Sequence, residues 1–83
     1  MDSPFFFQGT EYWAEGDEWA HFQWLNRISA VRDIRGSGNR LYLDIDTTNI
    51  SDEDLRELEA VYRRYSGDLK QLQKLKEALN AQN

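Results

Sequence analysis

The chain has 83 residues, enough for one small domain, and its 15 acidic and 10 basic side chains give a net charge of −5. Such a charge disfavours non-specific attraction to nucleic acid or anionic lipid. Cysteine is absent, which excludes disulfides and thiolate zinc sites and suits a reducing, cytoplasmic setting. We therefore expect one soluble cytoplasmic domain whose small core depends on large apolar side chains.

The first ten residues contain three consecutive phenylalanines, Phe5, Phe6 and Phe7, followed by Gly9 as a break. The start of the chain lacks the basic residues of a signal peptide, and its apolar run is too short for a membrane span. The phenylalanines fit either a short edge strand or an arm laid on the core. We favour a weakly ordered aromatic arm over residues 1–10, a single domain over residues 11–80 and a frayed tail over residues 81–83.

The segment from Asp17 or Glu18 to about Ile28 has the pattern of a helix. Asp17 follows Gly16 and is predicted to cap the helix N-terminus. Large apolar residues recur at steps of three and predict the buried stripe, with Trp24 beside it: Trp19, Phe22, Leu25 and Ile28. We therefore expect these rings to lie in the core.

Residues 30–35 and 40–46 flank the sequence Gly36-Ser37-Gly38-Asn39, which is typical of a hairpin loop. Apolar and polar residues alternate in the second segment, so one of its faces is expected to meet the core. Val31 and Ile34 are out of phase in the first segment, which predicts a bulge or a short, irregular strand.

Ser51, with Asp54 three residues later, is a start signal for a helix that we expect to run to about Tyr65. Gly67 is predicted to supply the left-handed residue that ends this helix. The segment after Asp68 has the pattern of a third helix with leucines on one face.

Residues 51–79 admit two other interpretations. Their apolar residues also follow a heptad pattern, so a single continuous helix that needs a partner helix stays open. Two helices joined by a short turn also suit DNA binding, with four residues facing a groove: Lys70, Gln71, Gln73 and Lys74. The acidic charge disfavours this function, and it equally disfavours RNA binding on a sheet around Tyr42, where we see no interleaving of aromatic and basic residues.

We find no catalytic, metal-binding or cofactor-binding signature. His21, the only histidine, forms with Glu18 half of a di-iron motif whose other half is missing, and we expect it to be partly exposed beside acidic neighbours. The acidic run from Asp44 has Asn49 and Leu55 where a calcium loop needs glycine and glutamate. We therefore predict no enzyme activity, no metal or cofactor and no small-molecule substrate.

The remaining candidate site is a set of five aromatic residues flanked by Glu11 and Glu15: Phe5, Phe6, Phe7, Tyr12 and Trp13. Exposed aromatic residues are enriched in protein interfaces. These rings therefore predict a non-catalytic protein–protein interaction or self-assembly module without a membrane partner, unless the segment folds back to complete the core. The alternative function is nucleic-acid binding through the basic third helix.

Together the elements predict an α+β fold. It is a small two-layer domain in which an antiparallel hairpin, or three strands if residues 5–13 contribute one, is packed by two to three helices. The order of the elements resembles a group of small bacterial proteins of unknown function, through Phe22-Gln-Trp24-Leu25, Gly36-Ser-Gly38 and Asp52-Glu-Asp54-Leu55-Arg-Glu-Leu58. This resemblance covers residues 12–75, implies a bacterial origin and carries over no functional residue.

Overall fold

The computed structural model describes residues 3–81, so the ends of the predicted arm and tail, residues 1–2 and 82–83, lie outside the described residues. The strands are β1 (Phe6–Gln8), β2 (Val31–Ser37) and β3 (Arg40–Ile45). The helices are α1 (Glu15–Arg27), α2 (Asp52–Arg64) and α3 (Leu69–Ala81). The strands form one antiparallel sheet in the order β1-β3-β2, which confirms the α+β prediction.

Phe6 and Phe7 belong to strand β1, and Phe5 directly precedes it. The segment therefore forms the short edge strand, which was the alternative to the favoured arm. Phe6 lies opposite Tyr42 of β3. Because successive side chains of a strand point to opposite faces, Phe5 and Phe7 are buried beneath the sheet while Phe6 lies on its other face. Gly9, at φ +63°, follows the strand.

The hairpin of β2 and β3 matches its prediction. The register shifts between Val31 and Asp33, where the apolar pattern predicts a bulge. The loop is shorter than expected, because β2 continues to Ser37 and leaves only Gly38 and Asn39 between the strands. Gly38 has a φ of +61°, the left-handed conformation that a two-residue hairpin loop requires.

Helix α2 begins with the predicted capping box. The Ser51 hydroxyl accepts a hydrogen bond from the Asp54 backbone N–H at 3.0 Å, and the Asp54 carboxylate accepts one from the Ser51 N–H at 3.2 Å. The structure has two helices after residue 51 and not one continuous helix. An ion pair between Glu59 and Lys76 joins α2 to α3.

The residue that ends α2 differs from the prediction. Ser66, at φ 59°, is the left-handed residue, and the N–H of Gly67 donates to the Tyr62 carbonyl at 2.7 Å. This pattern is a Schellman motif with serine in the position that glycine usually takes. The prediction that Gly67 is the left-handed residue is therefore wrong.

The core lies between the sheet and the helices and, among the described residues, consists of fourteen buried apolar side chains: Phe5, Phe7, Leu25, Ile28, Ala30, Val31, Leu43, Ile45, Leu58, Val61, Tyr62, Tyr65, Leu72 and Leu75. Each of the six elements contributes to it, either directly or through the residues next to its ends. Within residues 3–81, no helix combines the length and apolar character needed to cross a bilayer.

Candidate functional site

The buried face of α1 is not the predicted one. Each residue of a helix turns by about 100°, so Trp19 is rotated by about 180° from Ile28, whereas His21 is rotated from it by only about 20°. Trp19 is accordingly 64% exposed, and His21 is 0% exposed. The predictions of a core Trp19 and a partly exposed His21 are therefore wrong, because steps of three residues drift around a helix and cannot stay on one face.

The predicted N-cap of α1 is also wrong. The helix begins at Glu15, two or three residues before the predicted start, and Ala14 occupies the N-cap position. Asp17 instead lies in the first turn, where its carboxylate accepts a hydrogen bond from the Trp13 N–H at 3.3 Å. It also forms an ion pair with Arg64 at 3.5 Å, which links the start of α1 to the end of α2.

His21 is enclosed by aromatic rings. Tyr65 stacks on it at 3.9 Å between ring centroids, and Phe7 meets it edge-on at 4.5 Å. The Tyr12 hydroxyl lies 2.7 Å from Nδ1, while Nε2 has no hydrogen-bond partner among the described residues. Burial lowers the pKa of His21 to about 4, although the nearby Asp17 carboxylate opposes the shift. The imidazole is therefore neutral at pH 7.

The structure distributes the five predicted interaction residues over four places. Phe5 and Phe7 are buried in the core, Tyr12 is half-buried over His21, and Phe6 is half-buried on the open face of the sheet. Trp13 is 91% exposed and is the only one of the five that is available in full to a partner.

A cleft lies between α1 and α2 that was not predicted from the sequence. This cleft, of about 720 Å³, is lined by Trp19 and Trp24 from α1 and by Glu53 and Glu57 from α2. We call it the tryptophan cleft. Its volume falls within the range of about 300–1,000 Å³ that is common for ligand pockets.

Two hydrogen-bonded contacts hold the walls of the tryptophan cleft together. The indole N–H of Trp24 donates to the Glu57 carboxylate at 3.1 Å. The Ser29 hydroxyl, just after α1, donates to the buried Asp54 carboxylate at 3.0 Å. Burial alone would raise the pKa of Asp54, but hydrogen bonds from Ser51 and Ser29 outweigh it and hold that pKa below its ordinary value. This carboxylate is therefore charged at pH 7.

The exposed groups of the tryptophan cleft combine aromatic surface with negative charge. Glu53 and Glu57 are exposed, and Arg27 is the one basic residue among the described residues that line the cleft. Trp19 and Glu57 are far apart in the chain, so no motif spacing could reveal their association. The signal that was available is the helical wheel, which places Trp19 opposite Ile28.

The open face of the sheet has its own aromatic cluster. The rings of Phe6 and Tyr42 lie 5.6 Å apart. The Arg40 guanidinium lies 4.7 Å above the Phe6 ring and donates a hydrogen bond to the Tyr42 hydroxyl at 3.1 Å. Arg35 is the cross-strand partner of Tyr42 on β2. The interpretation that this face lacks interleaved aromatic and basic residues is therefore wrong.

No group of three or more His, Asp or Glu side chains in residues 3–81 is arranged to hold a metal ion. Comparisons of the chain with family models, with curated proteins and with solved structures gave no match. The geometry of these surfaces is therefore the basis for any functional conclusion.

Proposed function

We propose that the protein is a recognition module that binds a basic segment of a partner protein in the tryptophan cleft. The observation that carries this proposal is the exposure of Trp19, at 64%, beside the carboxylates that line the same cleft. A large indole left in water contributes little to folding, and tryptophan is enriched among the residues that dominate binding energy.

The chemistry of the cleft favours a cationic side chain. Lysine and arginine are attracted to the faces of indole rings, with tryptophan the strongest of the aromatic residues in this interaction. Glu53 and Glu57 add an attraction to the same charge and disfavour an acidic ligand. Because α1 and α2 are already joined by Trp24–Glu57 and Ser29–Asp54, the cleft exists before a ligand arrives. A preformed site loses little entropy on binding.

We expect Trp19→Ala to weaken the binding of an arginine- and lysine-rich peptide by about 10-fold or more. Glu53→Gln should weaken peptide binding by about 3-fold, because it removes a negative charge from the cleft. It leaves the hydrogen bond between Trp24 and Glu57 in place. Isothermal titration calorimetry with such a peptide measures both effects. Trp13→Ala is the matched control, since it removes an exposed tryptophan outside the cleft and should leave the affinity unchanged.

Two results would contradict this proposal. One is a basic peptide whose affinity is the same for the wild type and Trp19→Ala. The other is binding that disappears with added salt to the same extent in all variants, since this would indicate general charge attraction without an aromatic anchor.

A second candidate function is binding of single-stranded nucleic acid on the open face of the sheet. The observation that favours it is the Phe6–Tyr42 pair with Arg40 against it, because bases stack on such rings and phosphates attract arginine. This surface replaces the third helix as the nucleic-acid candidate, since Gln71 of α3 is engaged in hydrogen bonds to Phe6 and Tyr62.

Tyr42→Ser is expected to weaken binding of a short oligouridine by about 10-fold in fluorescence anisotropy at low salt, since stacking on one ring contributes about 1–3 kcal/mol. Lys70→Gln with Lys74→Gln is the control and should leave binding unchanged. No anisotropy change for the wild type at low salt would eliminate this candidate.

A further inference from the structure

A second cleft, of about 450 Å³, lies between the residues before β1 and helix α3. We call it the α3 groove. Its apolar lining includes Phe5, Leu75 and Leu79, and the exposed side chains of Lys70 and Lys74 also line it. The groove thus combines an apolar surface with two positive charges, and among residues 3–81 Asp68 is the one acidic residue that lines it.

Two hydrogen bonds fix α3, one to the edge strand of the sheet and one to α2. The side-chain oxygen of Gln71 accepts one bond from the Phe6 backbone N–H at 3.0 Å and another from the Tyr62 hydroxyl at 2.9 Å. Because β1 is an edge strand, this bond satisfies one of its outward N–H groups. The helix is therefore held at a fixed distance from Phe5, and the α3 groove between them is preformed.

An apolar ring flanked by negative charges protrudes elsewhere on the same molecule. Trp13 is 91% exposed and lies between the exposed acidic residues Glu11 and Glu15. Its backbone is held by the hydrogen bond to Asp17. We call residues 11–15 the Trp13 protrusion. It presents a large apolar ring with a negative charge on either side in sequence.

Within one molecule the Trp13 protrusion does not reach the α3 groove. Trp13 instead shares a shallow surface depression with Gln8, Arg64 and Ser66, at the other end of β1 from Pro4 and Phe5. A Trp13 protrusion that enters the α3 groove must therefore belong to another copy.

We propose that the Trp13 protrusion of one copy inserts into the α3 groove of a second copy. The indole would cover the apolar lining, and Glu11 and Glu15 would approach Lys70 and Lys74. The contact joins two different surfaces, so it is head-to-tail and can propagate into short chains or close into a ring. It buries a small area and is therefore weak and dependent on concentration. This inference goes beyond the proposed recognition of a basic segment and uses no residue of the tryptophan cleft.

Sedimentation velocity over a range of protein concentrations tests the proposal. The wild type should show a weight-average mass that rises with concentration and falls with added salt. Trp13→Ala should weaken self-association by about 10-fold or more. Trp19→Ala, which alters an exposed tryptophan of the other cleft, should self-associate like the wild type, so that failure of this inference and failure of the proposed function are distinguishable.

A charge swap makes the test decisive. Glu11→Lys with Glu15→Lys should abolish self-association, and so should Lys70→Glu with Lys74→Glu, because each variant opposes like charges. Mixing the two variants restores opposite charges and should restore association. Circular dichroism checks that both remain folded. A wild type that stays monomeric at every concentration would overturn the proposal, and so would a mixture of folded variants that does not associate.

Discussion

Replacement of Gly67 by alanine is expected to lower the free energy of unfolding by about 3 kcal/mol, because there is no space for the added methyl group. A Cβ atom at this position would lie 2.6 Å from Cδ2 of Tyr62 and 2.9 Å from Cε2 of Phe7. Both rings are buried and pack on each other at 4.6 Å between centroids. Neither ring can move away without displacing further core residues.

The surroundings of Gly67 restrict relaxation in other directions as well. The Tyr62 hydroxyl is held by Gln71, so a tilt of its ring would break a hydrogen bond that fixes α3. A backbone shift would strain the bond from the Gly67 N–H to the Tyr62 carbonyl at 2.7 Å. Urea unfolding followed by circular dichroism should show a lower midpoint with an unchanged slope.

Ser66→Gly is the matched control for Gly67→Ala, because the two residues are neighbours with opposite requirements. Ser66 has a φ of 59°, which glycine adopts without strain, so this variant should raise the free energy of unfolding by about 0.5–1 kcal/mol. If Gly67→Ala costs less than about 0.5 kcal/mol, the close packing of Gly67 against the two rings does not limit stability.

The two residues also show which features of this fold can be predicted from sequence. The capping box at Ser51, the bulge after Val31 and the loop glycine Gly38 depend on residues only a few positions apart, and all three were predicted. The role of Gly67 depends on Phe7, which is distant in the chain. A glycine after a helix is most often a left-handed residue, and only the tertiary structure shows that here it provides space.

In the candidate site, too, the features set by local sequence could be predicted and those set by tertiary contacts could not. The sequence singled out Trp13 together with four other rings because they lie in a segment without helical periodicity, and of the five the structure leaves only Trp13 fully exposed. The tryptophan cleft was not predicted, since its two walls meet only after α1 packs on α2. Trp19 was predicted to lie in the core because residues three positions apart were treated as lying on one face of the helix. The burial of His21 shows that the apolar stripe of a helix can include a neutral polar ring.

Lowering the pH from 7 to 4.5 is expected to reduce the free energy of unfolding by about 2 kcal/mol through His21. Its pKa is about 4 in the folded protein and about 6.5 in the unfolded chain. Between these values the unfolded state binds the proton and the folded state does not, so stability falls as the pH decreases. Above pH 7 the imidazole is neutral in both states and contributes no pH dependence.

The charged and polar groups around His21 set the size of this effect. Asp17 is the acidic residue that favours the protonated ring, and it is already paired with Arg64. Burial raises the pKa of both Tyr12 and Tyr65, so their hydroxyls are neutral throughout this range. A carboxylate contributes only where its pKa differs between the folded and unfolded chain. The pKa values of Asp46 and Asp54 are lowered in the folded protein, so these two groups add a small loss of stability as the pH falls toward 4.5.

His21→Leu tests the assignment, because leucine fills the same apolar site without titrating. Urea unfolding of this variant should give nearly the same stability at pH 7 and pH 4.5, whereas the wild type should lose about 2 kcal/mol. Tyr12→Phe provides a second measure: it should lower stability by about 1 kcal/mol at pH 7, since Nδ1 of His21 would lose its partner at 2.7 Å. An NMR titration that places the pKa of His21 above 6 would show that the ring opens to water in the native state. An equal loss of stability in wild type and His21→Leu would show that other groups cause the pH dependence.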